Sequence, residues 1–178
     1  MGDIIYGDLL MLKRKMRKLP ENFVLDLDGV LTDGKFLYTT EGKYIKTFGA
    51  DDHDCLNLLK QILHIEVVTA DSSGFKISEK RVREDMGLEI SLVSATQRLE
   101  WIANRFDLEK TIYVGDGVFD YLVFRKVFYS IAPANALAFV KKQADFVTEN
   151  VGGERAVAEA CLHILKKYFI DRERELFA

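Results

Sequence analysis

The chain has 178 residues, 48% of them apolar and 30% charged, which suits one folded domain with its own core and excludes a disordered or collagenous chain. A net charge of −3 offers no cationic surface for nucleic acid, and no apolar run reaches the roughly 20 residues needed to span a bilayer. Neither a nucleic-acid nor a membrane partner is expected, and "MGDIIYGDLLMLKRKMRKLP" lacks a secretory leader pattern, so the expected compartment is the cytoplasm.

Residues 1–21 read as a basic helical extension, with Leu9, Leu10, Leu12, Met16 and Leu19 near helical spacing over 3–19. Such a helix packs on the domain or, alternatively, lies on a membrane surface or serves as a calmodulin-like target. The domain itself is expected over 22–170. Its first strand, Phe23–Leu27, is followed by a hairpin at about 36–48 whose turn is "TTEGK". Helices are then expected over 51–63, 76–86 (ended by Gly87), 96–106, 121–127, 134–143 and 156–169. Strands are expected over 65–69, 90–93, 111–114, 128–132 and 146–148, and residues 171–178 form a charged tail. Short apolar strands alternating with helices predict an α/β fold: a Rossmann-like, doubly wound parallel sheet with helices on both faces and a small β-hairpin insertion. Cys55 and Cys161 lie far apart without C-x-x-C spacing and read as buried thiols; Trp101 is expected in the core, and His64 and His163 in structural or exposed places.

In such a sheet, ligands bind at the carboxyl ends of the strands. Asp26 and Asp28 stand at one such end, Thr69 followed by Asp71, Ser72 and Ser73 at a second, and Asp116 with Asp120 at a third. Carboxylates gathered in one crevice repel each other unless a cation sits among them, and a hard all-oxygen set favours Mg²⁺ over zinc. An aspartate is also a known phosphoryl-accepting nucleophile, and a second acid nearby can protonate the leaving oxygen. The pattern therefore points to metal-assisted phosphoryl chemistry.

"DLDGVLTDG", "VTADSS" and "YVGDGVFD" resemble the haloacid dehalogenase superfamily of phosphohydrolases. The hairpin "KFLYTTEGKYIKTF", "DDHDCLNLLK" and "VGGERAVAEACLHIL" resemble its sugar-phosphatase branch with almost no cap domain. That branch includes 3-deoxy-D-manno-octulosonate 8-phosphate phosphatase and phosphatases of related sialic-type sugars. The resemblance implies an Mg²⁺-dependent phosphatase of a small phosphorylated sugar acid. Asp26 is implied as nucleophile, forming an aspartyl-phosphate, and Asp28 as general acid/base whose backbone carbonyl binds the metal. Asp116 is implied as a metal ligand and Asp120 as the acid that orients the metal waters or a nearby base. Thr69, with the backbone N–H groups of Gly29 and Ala70, is implied to hold the phosphate. It also implies a homotetramer whose hairpins associate and whose neighbouring subunit helps close each site.

Three positions depart from the family pattern. T-G-R reads Thr69-Ala70-Asp71, an anion where a cation is usual. The usual lysine before the last motif matches Arg98, with Lys76 or Lys80 as alternatives. G-D-D reads Gly115-Asp116-Gly117, with one acid fewer. A catalytically weakened binding or regulatory protein is the alternative reading, and a phosphotransferase a further one. His53 and Lys80 are candidate substrate contacts.

Overall fold

A computed structural model of the chain describes residues 18–176. The helix expected over residues 3–19 thus lies outside the described residues, except for Lys18 and Leu19, which run without helix toward the first strand. That strand, β1 (Asn22–Asp26), is the centre of the sheet. Its Phe23, Val24 and Leu25 are wholly buried, because parallel neighbours flank it and helices cover both faces.

The chain leaves β1 through a turn at Leu27–Leu31, closed by the Thr32 N–H donating to the Leu27 carbonyl at 3.0 Å. It then forms an antiparallel hairpin, β2 (Leu37–Thr39) and β3 (Gly42–Ile45), and enters α1 (Asp51–Leu59). Next come β4 (His64–Thr69), α2 (Phe75–Glu79, widening into a π-type turn over Lys80–Asp85) and β5 (Glu89–Leu92). The chain crosses back through α3 (Arg98–Arg105) to β6 (Thr111–Val114), then α4 (Asp120–Phe124), β7 (Tyr129–Ala132), α5 (Ala138–Lys141) and β8 (Phe146–Val147). It ends in α6 (Ala156–Tyr168) and α7 (Ile170–Leu176). The last segment is a short helix rather than a bare charged tail, since Leu176 packs against the core.

The sheet order is β5-β4-β1-β6-β7-β8, with every pairing parallel. Alternate residues of β1 serve opposite layers. Phe23 and Leu25 join Leu56 and Leu59 of α1 and Ile164 of α6 on one face. Val24 joins Ile102 of α3, Val123 of α4 and Val140 of α5 on the other. The order reverses between β1 and β6, so the doubly wound fold puts its switch point beside the carboxyl end of β1.

The largest departure from the sequence expectation is α5, foreseen over 134–143. Residues 133–137 instead form a turn that carries Asn135 to the β1 turn. Asn135 Nδ2 donates to the Gly29 carbonyl at 2.9 Å, and its Oδ1 accepts from the Gly152 N–H at 2.6 Å. The alanines on either side suit a helix, but these two tertiary hydrogen bonds decide the local backbone.

Candidate active site

At the switch point the acids converge. Asp26, Asp116 and Asp120 each present an oxygen, and these oxygens lie within 4.8 Å of one another. Asp26 is the last residue of β1, and its Oδ1 accepts from the Leu27 N–H at 2.8 Å, which fixes its carboxyl group at the mouth of the turn. Gly29 takes φ +90°, where side chains are strained, and a Cβ there would collide with the Asp116 carboxylate. Glycine thus lets the first and third strand ends approach each other.

Arg98, at the start of α3 and 3% exposed, ties the acids together. Its Nη1 lies 2.7 Å from Asp26 Oδ2 and donates to Asp120 Oδ1 at 2.8 Å and to the Tyr113 hydroxyl at 3.0 Å. The Tyr113 phenol, which burial keeps protonated by pushing its pKa well above the ordinary value, donates in turn to Asp120 Oδ1 at 2.7 Å. The Gly117 N–H donates to Asp120 Oδ2 at 2.8 Å. The glycine at the place of the family's second acid therefore caps Asp120 through its backbone.

Even with Arg98 present, burial pushes Asp26 up to about 8, aided by Asp120 and Asp116. Burial together with Asp120 likewise raises Asp116 to about 7. Three crowded carboxyl groups, two of them held up by desolvation and mutual repulsion, are a donor set that a hard divalent cation fits.

Asp28 faces the same cleft from the turn. Its Oδ2 accepts from the Thr69 hydroxyl at 2.8 Å, and its Oδ1 lies 2.7 Å from Lys46 Nζ. Thr69, expected to hold phosphate, commits its hydroxyl hydrogen to Asp28 and accepts from the Asp71 N–H at 3.1 Å. The Gly29 N–H, likewise expected on phosphate, is taken by Thr32 Oγ1 at 3.3 Å. Asp71 is matched by cations: Lys43 at 2.5 Å and Lys46 at 2.8 Å, both from the hairpin. Burial pushes the Asp71 carboxyl up, but hydrogen bonds from these two lysines outweigh it and hold the group well below the ordinary range.

A cleft of about 320 Å³ opens over this cluster. Asp26, Asp28, Asp71, Asp120 and Arg98 form its polar floor, and Phe36, Val118 and Phe119 part of its apolar wall, with Ala70 beside them. Three sequence candidates are not brought here. Lys80 turns outward from the π-type turn, pairs with Glu84 at 2.7 Å and with Asp85, and does not line this cleft. Lys76 is exposed and does not line the cleft. His53, half-buried on α1, does not line it either. Sequence reasoning missed Lys46 and Tyr113. Tyr113 had a usable signal, a hydroxyl on a strand next to a strand-end acid; Lys46 had none beyond being a charge in an apolar hairpin.

Residues 93–160 match the haloacid dehalogenase-like hydrolase family. The 3-deoxy-D-manno-octulosonate 8-phosphate phosphatase of Salmonella typhi is 32% identical over 145 residues, 78% of this chain and 75% of that protein. The 3-deoxy-D-manno-octulosonate 8-phosphate phosphatase of Moraxella catarrhalis, solved with magnesium, phosphate and the sugar acid, superposes with TM-score 0.76 at 26% identity, covering 90% of this chain and 95% of that one. The cobalt-bound enzyme of Haemophilus influenzae gives TM-score 0.74 at 26% identity, covering 90% and 97%. The chain belongs to the haloacid dehalogenase-like hydrolases. Within that superfamily it is a phosphatase of the capless branch that the 3-deoxy-D-manno-octulosonate 8-phosphate phosphatases represent.

Proposed function

We propose that the protein removes phosphate from a small phosphorylated sugar acid, 3-deoxy-D-manno-octulosonate 8-phosphate or a related sialic-type sugar phosphate, with Mg²⁺ as its cofactor. The observation that carries this is the meeting of Asp26, Asp116 and Asp120 around one point beside Arg98. The names of the similar proteins support the substrate class.

The Asp26 and Asp116 carboxylates and the Asp28 backbone carbonyl would hold the metal. When bound, Mg²⁺ supplies the positive charge that draws the phosphate in and keeps Asp26 ionised. An Asp26 oxygen attacks phosphorus, the bond to the sugar oxygen breaks, and Asp28 gives that oxygen a proton. Water then attacks the aspartyl-phosphate, returning a proton to Asp28 and releasing inorganic phosphate. Arg98 lies within reach of the nucleophile, and Asp120 holds Arg98 in place. Ala70 borders the phosphate, and the Thr69 hydroxyl serves it by orienting Asp28.

A panel of sugar phosphates, assayed for phosphate release with and without Mg²⁺, tests this. Metal-dependent turnover with a preference for sugar-acid phosphates is expected. Equal turnover of neutral hexose phosphates would overturn the substrate assignment, and turnover undiminished by chelator would overturn the cofactor.

A further inference from the structure

Lys46 sits one residue beyond β3 with a fully buried side chain. Lysine is almost never fully buried without partners, because an ammonium taken out of water costs several kcal/mol. Three oxygens replace the water here: Asp28 Oδ1 at 2.7 Å, Asp71 Oδ2 at 2.8 Å and Ser78 Oγ at 2.9 Å. Lys43 adds a second cation on Asp71, its ammonium 3.4 Å from the centre of the Phe36 ring. Asp71 is thus the counter-charge that lets an ammonium rest, dry, against Asp28. An ion pair needed only to pin the hairpin would be complete with Asp71. The reach to Asp28 goes beyond that need.

We infer that Lys46 is a positioning residue: seated on Asp71 and Ser78, it fixes the Asp28 carboxyl group toward the cleft, where the leaving oxygen must meet it. This rests on Asp28 being the proton donor proposed above. In that step the bond between Asp26 and phosphorus forms, the bond from phosphorus to the leaving oxygen breaks, and the proton passes from Asp28 to that oxygen. Lys46 on one Asp28 oxygen and Thr69 on the other hold the carboxyl group in one pose, already in place before substrate arrives. The benefit scales with how far the proton must move. A nitrophenolate leaves almost unaided, whereas an alkoxide does not leave without the proton.

The test compares Lys46→Met with wild type on p-nitrophenyl, phenyl and benzyl phosphate in the presence of Mg²⁺. The expected loss in kcat is only a few-fold for p-nitrophenyl phosphate and about 10²-fold for benzyl phosphate. KM should be unchanged, since Lys46 does not line the cleft. Lys46→Arg should restore much of the benzyl activity. Ratios between esters are taken on one protein sample, so a lowered folded fraction cancels. A uniform loss across the three esters, or none, would overturn the role of Lys46 while leaving the phosphatase reading intact. Absence of Asp26-dependent phosphate release in wild type would overturn both.

Discussion

Arg98 shows how much a single side chain carries. One of its nitrogens faces Asp26, Asp120 and Tyr113, and the residue is almost wholly buried. Removing one partner of a buried ionic group leaves the others uncompensated, at about 3–5 kcal/mol. Arg98→Met should therefore lower unfolding free energy by about that amount, read by denaturant titration, and abolish turnover. Arg98→Lys keeps the charge but, as a compact ammonium on a flexible stem, does not hold it against Asp26, Asp120 and Tyr113 as the planar guanidinium does, and should recover stability better than rate. Asp71 gives a pH signature. Its folded pKa lies below the ordinary 3.8, so the stability it contributes is complete above the unfolded value and is lost as pH falls through the folded one. The stability gap between wild type and Asp71→Asn should thus hold constant from neutrality to about pH 5 and shrink below about pH 4. A gap that persists unchanged into stronger acid would show that the Lys43 and Lys46 contacts do not govern it.

At the scale of elements, the strand ends and the hairpin differ in how legible they were. Asp26, Asp28, Thr69 and Asp116 could be read because a strand end is fixed by where an apolar run stops, and a parallel sheet aligns those ends. Lys80 lies off the cleft, which its sequence position did not reveal, because the direction a helical side chain faces depends on helix phase and the π-type turn over Lys80–Asp85 alters that phase. Lys46 was missed because its contacts depend on how the hairpin folds back over the loop after β4, a tertiary fact with no local pattern. The same hairpin exposes Leu37, Tyr38, Tyr44 and Ile45, a large apolar area on a two-stranded unit that is marginal by itself. We propose that these residues meet their counterparts in a homotetramer. Sedimentation velocity should find a tetramer for wild type and a smaller species for the double variant Tyr38→Glu, Tyr44→Glu; a monomeric wild type would contradict this.

For the whole molecule, the fold and the chemistry share one cause. A doubly wound sheet must reverse strand order somewhere, and here the reversal between β1 and β6 opens the crevice where Asp26 meets Asp116 and Asp120. Gly29 allows the approach, Arg98 and Tyr113 hold it from the α3 side, and Lys46 of the hairpin braces Asp28 from the other. The departures at Asp71 and Gly117 are each answered within the structure, by Lys43 and Lys46 and by a backbone N–H on Asp120. The function proposed above requires that Asp26 take the phosphoryl group. Rapid acid quenching during turnover with Mg²⁺ and p-nitrophenyl phosphate, followed by peptide mass spectrometry, tests that most directly. A phosphoryl group on the peptide containing Asp26, lost in Asp26→Asn together with phosphate release, is the expected result; Asp26→Asn turning over at the wild-type rate would contradict it.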